Sequence, residues 1–195
     1  YVALTIAIIG TWVRFDLSQY SWKTGSSQML RNKNMRWASN LFHVGILGLI
    51  FGHLIGMLTP SFIYEIFITP GQKQIMAIVI GGIAGVLCWI GLAMLLWRRF
   101  TDDRISHTSS FSDKFILILL FIQLNLGMIS IYFSMGHLDG STMVKLAGWA
   151  QDITIFRPLQ ALAKLDGVHV VYQLHMALGI TLIAIFPFTR LIHII

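Results

Sequence analysis

The sequence is poor in charged residues and nearly free of cysteine. Of its 195 residues, 56% are hydrophobic and only 11% are charged, whereas a soluble domain carries about 25% charged residues. The single cysteine, Cys88, lies within an apolar run, which excludes an intrachain disulfide and a four-cysteine iron–sulfur or zinc site within this chain. No cleavage site of a secretory signal peptide follows the first apolar run. The composition predicts one membrane-embedded domain, residues 1–195.

Five apolar runs stand out, and several approach the ~20 residues needed to cross the hydrocarbon core of a bilayer. They cover residues 1–13, 40–58, 74–97, 115–133 and 168–188. Glycine and proline mark the breaks between them. We therefore expect an all-α integral membrane bundle of five transmembrane helices. Because the first run is short for a crossing, we also expect the natural chain to begin before residue 1.

The basic residues lie in the connections between the runs, which argues against a nucleic-acid partner although the pI is near 9.8. Nine belong to the first and third connections: Arg14, Lys23, Arg31, Lys33, Arg36, Arg98, Arg99, Arg104 and Lys114. Four belong to the second and fourth: Lys73, Lys145, Arg157 and Lys164. Positive residues favour the cytoplasmic side. This distribution predicts a periplasmic N-terminus and a cytoplasmic C-terminus.

The fourth connection is long for a loop without structure of its own. Its residues 143–150 mix apolar side chains with Lys145 and Trp149. This pattern is typical of a short helix lying at the membrane interface.

Histidines are the most informative polar residues of the sequence. Two of the seven, His107 in a polar segment and His137 beside the glycines of residues 136–140, are expected to be solvated loop residues. The other five lie in or beside the second and fifth runs: His43, His53, His169, His175 and His193. A single intramembrane histidine can serve as an interhelical hydrogen bond. Two on each of two helices indicate a functional site.

The depths of these histidines predict how they pair. The second and fifth runs cross in opposite directions, and a helix rises ~1.5 Å per residue. By that rise His53 lies about 15 Å from the inner end of its run and His175 about 10 Å from the outer end of its own, in a core about 30 Å thick. The two are therefore level and form an outer pair. His169 competes with His175, but it lies at the outer edge, where a histidine needs no special partner.

His43 and His193 form the inner pair, although their spacing fits less well. His43 precedes His53 by about 15 Å of helix, whereas His193 follows His175 by about 27 Å. Pro187 lies between the latter two, and proline breaks or kinks a helix. We therefore expect a distortion at Pro187 that brings His193 towards His43.

Neutral imidazole suits iron, copper and zinc, so the remaining ligands decide the kind of site. The sequence contains no Glu-x-x-His of a bundle di-metal site and no Cys-x-x-Cys-His for covalent haem attachment. The interpretation that remains is two non-covalent b-type haems, each held by two histidines. A stripe of small residues, Gly48, Gly52 and Gly56, favours helix packing, and Gly52 adjoins the outer site through His53.

Several segments together resemble the gamma subunit, cytochrome b, of membrane-bound respiratory nitrate reductase, and the resemblance covers nearly the whole chain. They are residues 26–30, 38–43, 51–53, 57–60, 148–151, 174–175 and 186–193. Residues 156–160 depart from the family pattern, and a cytoplasmic tail that helps hold the partner subunits is expected after His193.

The resemblance implies a quinol-oxidising subunit of the bacterial or archaeal cytoplasmic membrane, with an iron–sulfur beta subunit and a molybdenum alpha subunit as partners. It implies that His53 and His175 bind the haem distal to the cytoplasm, and His43 and His193 the proximal haem. It also assigns Gly52 and Lys73 to the quinol pocket. Without the resemblance, Lys73 is an ordinary interfacial lysine.

Two alternatives stay open at this point. The chain could serve another quinone-linked reductase, acting on a sulfur compound or a heterodisulfide. A small transporter or channel is less favoured, because the apolar runs contain almost no acidic residues and no internal repeat.

Overall fold

The computed structural model describes residues 1–18 and 35–194. Three basic residues of the topology argument, Lys23, Arg31 and Lys33, and the family segment 26–30 lie outside the described residues. The described part of the chain is all-helical, with nine α-helices and no strand. The helices are α1 (Val2–Ser18), α2 (Met35–Leu58), α3 (Ser61–Tyr64), α4 (Pro70–Thr101), α5 (Asp103–Thr108), α6 (Phe111–Ser134), α7 (Ser141–Thr154), α8 (Pro158–Ala163) and α9 (Val170–Ile185).

Within residues 1–18 and 35–194, four helices are long and apolar enough to cross a bilayer: α2, α4, α6 and the 19-residue segment that begins with α9. The chain is therefore a multi-pass membrane protein, as predicted. The first run forms the 17-residue helix α1, about 25 Å long at ~1.5 Å per residue. The Tyr1 hydroxyl at its start donates to the carbonyl of Ile153, whereas Arg14 near its end donates to the carbonyl of Pro187. A fifth crossing by α1 remains a prediction.

Local capping determines where the spans begin. Thr69 and Gln72 form a capping box at the start of α4, with Pro70 in the first turn, where its missing N–H costs nothing. Ser110 and Asp113 form another at the start of α6. At its far end α9 stops at Ile185, and two 3-10 turns follow, Phe186–Phe188 and Arg190–Ile194. The distortion expected at Pro187 is present.

The helices pack in a row: α2 against α4, α4 against α6, α6 against α9, and α9 against α1. The first of these contacts is the closest. A methyl group added at Gly45 of α2 would overlap the backbone of Cys88, and one at Gly91 of α4 would overlap the backbone of Phe42. Of the predicted glycine stripe only Gly48 faces a neighbour, because the added carbon would lie 3.2 Å from the Ala84 Cβ.

The connections contain more helix than the sequence predicts. The helix expected at residues 143–150 is confirmed and is longer, since α7 covers Ser141–Thr154. It is followed by α8, which was not expected. The prediction of a loop at His107 is wrong: this histidine lies in α5, whose start is capped by the Asp102 side chain accepting from the Ile105 N–H. His137 lies in the loop between α6 and α7, as predicted.

Candidate haem-binding site

The structure brings His53 of α2 and His175 of α9 together. Their ring centroids are 6.0 Å apart with planes inclined at 36°. Metal–imidazole bonds are about 2.0–2.1 Å for zinc, so an ion between two imidazole nitrogens puts the ring centroids about 6 Å apart. The separation is therefore short enough for His53 and His175 to hold the same metal ion.

Each ring of this outer pair has one nitrogen committed to the backbone. His53 Nδ1 lies 2.7 Å from the carbonyl oxygen of Leu49, and His175 Nδ1 lies 3.1 Å from that of Gln123 on α6. A proton donated from Nδ1 leaves Nε2 with its lone pair, which is the arrangement of metal-binding histidines. Both residues therefore present the nitrogen that an axial ligand requires.

His169 has the opposite hydrogen-bonding pattern. As the N-cap of α9, its Nδ1 accepts from the backbone N–H of Val171 at 3.3 Å. The proton of the neutral ring is then on Nε2, so neither nitrogen offers a free lone pair. Its ring stacks on Phe133 at 4.0 Å and lines a cavity of about 260 Å³ with His137 and Lys145. Helix capping therefore accounts for this histidine.

The inner histidines show the same use of Nδ1 as the outer pair. His43 Nδ1 lies 2.7 Å from the carbonyl of Ser39, and His193 Nδ1 lies 2.6 Å from the carbonyl of Arg190. Both side chains are exposed. Nε2 of each of these two rings is therefore available to a ligand. His43 lies on α2 and His193 on the last 3-10 turn.

Polar contacts hold the turn that carries His193. A single Arg14 nitrogen, Nη1, donates to the carbonyls of Pro187 at 2.6 Å and Thr189 at 3.0 Å. Asp113 of α6 forms ion pairs with Arg190 at 3.3 Å and with Arg99 at 3.7 Å. These contacts tie the end of the chain to α1, α4 and α6.

The described residues contain no cluster of three or more histidine, cysteine, aspartate or glutamate side chains able to hold a metal ion. A four-ligand zinc site or a carboxylate-bridged di-iron site needs such a cluster. Haem iron needs only two ligands from the protein, which His53 and His175 together could supply.

The whole chain, residues 1–195, matches the family described as nitrate reductase gamma subunit. It is 50% identical over 194 residues to the respiratory nitrate reductase 2 gamma chain of Escherichia coli (strain K12), covering 100% of this chain and 85% of that protein. This chain belongs to the nitrate reductase gamma subunit family. The respiratory nitrate reductase 1 gamma chain of the same organism is also 50% identical over 194 residues, with coverage of 100% and 86%. The nitrate reductase gamma chain of Bacillus subtilis (strain 168) is 33% identical over 195 residues, covering 100% and 86%. The resemblance found in the sequence is confirmed.

In this gamma-subunit chain Lys73 is buried, with 8% of its surface exposed. Its Nζ lies 3.7 Å from the centroid of the Tyr64 ring and 3.5 Å from the carbonyl of Thr59. Burial, and then the neighbouring Glu65, raise the pKa of Tyr64 above its ordinary value, so the ring stays a neutral phenol beneath the ammonium. Lys73 is therefore held by α3 and the end of α2, and is more buried than an interfacial anchor needs to be.

Gly52 lies on an open part of α2. A carbon added at this position would meet nothing within 4 Å, and the same holds for Gly56 one turn later. Among the described residues neither glycine packs against a neighbouring helix, so the packing interpretation of the stripe finds no support at these two positions. The described residues leave the surface of α2 uncovered at Gly52, next to His53 in the sequence.

Sequence reasoning missed the partners of His175 on α6. Gln123 supplies both a backbone carbonyl and a side-chain amide to this histidine. Gly127, one turn later, makes room for the ring, because a carbon added there would lie 3.0 Å from Cε1. A polar residue in an apolar span was the available signal, but its neighbour on α9 is 52 residues away in sequence.

Proposed function

We propose that this protein is the membrane-anchoring, quinol-oxidising cytochrome b subunit of a respiratory nitrate reductase. The observation that carries the proposal is the opposed His53 and His175 pair, with rings 6.0 Å apart and both Nδ1 atoms bonded to backbone carbonyls. Haem b bound between these residues would supply one-electron chemistry within the membrane. His43 and His193 would hold a second haem b nearer the other face.

The positions of the basic residues support an orientation of the chain in which electrons would flow from the periplasmic side to the cytoplasmic side. At one end of the bundle lie Arg14, Arg98, Arg99 and Arg190, in contact with the start of α2, the start of α6 and the end of α9. At the other end lie Lys73, beside the end of α2, and Lys145, Arg157 and Lys164 of the α7–α8 segment, where Lys164 is paired with Asp152. Positive residues favour the cytoplasmic side. We therefore propose five crossings, with the N-terminus and the outer pair towards the periplasm and the C-terminus in the cytoplasm.

Quinol would bind at the outer end, beside His53. Gly52 leaves open space there, and the Lys73 ammonium group, which lies over the Tyr64 ring at 3.7 Å, would turn from that ring to donate to a quinol oxygen. The two protons of quinol would leave on the periplasmic side. Its electrons would cross to the inner histidine pair.

Nitrate would be reduced elsewhere in the complex. The described residues of this chain contain no metal cluster site, and the relatives are named as gamma chains of nitrate reductases. Electrons would therefore pass from the inner end to a cytoplasmic iron–sulfur beta subunit and then to a molybdenum alpha subunit. The 50% identity favours this assignment over a sulfur-compound or heterodisulfide reductase, and the paired histidines favour it over a transporter.

A dithionite-reduced absorbance spectrum of the intact complex, with haem counted per gamma polypeptide, tests the proposal. We expect b-type bands and two haems per chain. One haem per chain would contradict the pairing of four histidines, and the absence of haem bands would contradict the cytochrome assignment altogether.

A further inference from the structure

We infer that Gln123 is a positioning residue for His175, and that it fixes the orientation of this ligand towards the outer haem. The inference rests on the proposed function, because it assumes that His175 is an axial ligand. Gln123 lies in the middle of α6, and its side chain faces α9.

Two hydrogen bonds join the same pair of residues in opposite directions. The side-chain Nε2 of Gln123 donates to the carbonyl oxygen of His175 at 3.0 Å. The Nδ1 of His175 donates to the carbonyl oxygen of Gln123 at 3.1 Å. One bond fixes the position of the α9 backbone, and the other fixes the rotation of the imidazole ring. Together they hold the ring at one angle relative to α6.

Two glycines allow this close approach. A carbon added at Gly127 would lie 3.0 Å from the Cε1 atom of His175, and one added at Gly179 would lie 3.2 Å from the Nε2 atom of Gln123. Both distances are tighter than ordinary van der Waals contact. Each side chain of the pair therefore packs over a glycine of the opposite helix, which leaves little freedom to either.

The side-chain oxygen of Gln123 indicates that this residue positions His175 rather than stabilises the fold. Gln123 Oε1 is buried and has no hydrogen-bond partner among the described residues. An unsatisfied buried acceptor is unfavourable, and an apolar side chain of similar size would avoid it. The favourable contribution of this glutamine thus comes from its Nε2 bond. Nε2 also lies 3.5 Å from the Nε2 atom of His175, at the limit of a hydrogen bond to the proposed coordinating nitrogen, and iron bound there would replace that contact while the two carbonyl bonds remain.

Gln123→Leu in the intact complex tests the inference, and Asn125→Leu is its matched control. Asn125 is an amide two residues later on the same helix, but it donates to the carbonyl of Phe121 and accepts from Trp89 Nε1 on α4. Both variants remove one half-buried amide from the same part of α6. Only the first removes a contact with His175.

The measurements are the haem content, the two midpoint potentials and the electron paramagnetic resonance signals of the oxidised haems. We expect Gln123→Leu to shift the potential and the resonance of the outer haem and to weaken its retention by about two- to tenfold, the loss of one neutral hydrogen bond. The inner haem should be unchanged, and Asn125→Leu should leave both haems as in the wild type. Gln123→Met, unbranched and without a donor, should reproduce the shift.

The outcomes separate this inference from the proposed function. If the wild-type complex contains no haem, the proposed function fails. If it contains both haems and the Gln123 variants match Asn125→Leu, only the positioning role is overturned. If both Gln123 variants fail to assemble while Asn125→Leu assembles, the glutamine serves folding, and the positioning role is again overturned.

Discussion

Arg14 is the residue whose replacement should most clearly affect one proposed haem site and not the other. Because α9 ends at Ile185, carbonyl groups of the following turn are left without helical partners. Arg14 donates to two of them, Pro187 at 2.6 Å and Thr189 at 3.0 Å. These bonds connect α1 to the segment that carries His193. We expect Arg14→Ala to weaken the inner site and leave the outer site intact.

The size of the effect follows from the kind of bond. A hydrogen bond from a charged donor contributes about 1.5–3 kcal/mol. Both bonds come from one nitrogen of a partly exposed side chain, so we take about 2–3 kcal/mol for the pair, below the simple sum. At ~1.4 kcal/mol per decade, inner haem affinity should fall by about thirty- to a hundredfold if all of this energy orders the turn. Arg14→Lys keeps one charged nitrogen that can donate both bonds but places it on a shorter side chain, so it should give an intermediate loss.

The assay is haem content together with a redox titration that resolves the two haems in the intact complex. Arg104→Ala is a suitable control, because it removes an exposed arginine of α5 from the same side of the proposed topology. The reasoning would be refuted by an Arg14→Ala complex with a normal inner haem. It would also be refuted if the outer haem were lost first.

Three further outcomes are expected. His175→Ala should remove the outer haem and abolish quinol oxidation, whereas His169→Ala should leave both haems, and haem loss in the latter would contradict the assignment from depth and hydrogen bonding. Lys73→Ala should weaken binding of a quinol analogue by about ten- to a hundredfold, which is the contribution of one hydrogen bond to a charged group. Both haems should be retained. An unchanged affinity for the analogue would show that Lys73 is not part of the quinol site. Gly52→Leu should lower inhibitor affinity without destabilising the fold, since the position is open. Gly56→Leu, where an added carbon also meets nothing within 4 Å, should have a smaller effect, and equal effects would argue against a pocket beside His53.

Features encoded by neighbouring residues could be predicted from the sequence. Pro60, Pro70 and Pro187 mark the ends of spans because the effect of proline on a helix is local. The level of His53 with His175 followed from helix rise alone. Short helices such as α5 and α8 were missed because six residues give too few turns for a periodic pattern to be recognised.

Contacts between helices could not be predicted in the same way. The stripe of Gly48, Gly52 and Gly56 suggested a packing face, yet the closest approach to α4 is at Gly45. Residues four apart are rotated by about 40° from one another at ~100° per residue, so such a stripe drifts around the helix. Which part of it meets a neighbour depends on where that neighbour lies, and the sequence of one helix does not contain this information.

The end of the chain shows why proline alone did not explain the position of His193. The sequence required a distortion that shortens the distance from His175, but a 3-10 helix rises about 2.0 Å per residue, more than the ~1.5 Å of an α-helix. Straight 3-10 turns would therefore carry His193 farther away. A shorter distance would require a change of direction, and Thr189, the residue between the two turns, has an extended backbone at φ −114° and ψ 174°. It is buried, its hydroxyl donates to the carbonyl of Phe186 at 3.0 Å, and the same oxygen accepts from the N–H of Leu191 at 3.2 Å. Proline ends the helix, and Thr189, held by the two bonds of its hydroxyl, is where the backbone leaves the helical conformation before the turn that carries His193.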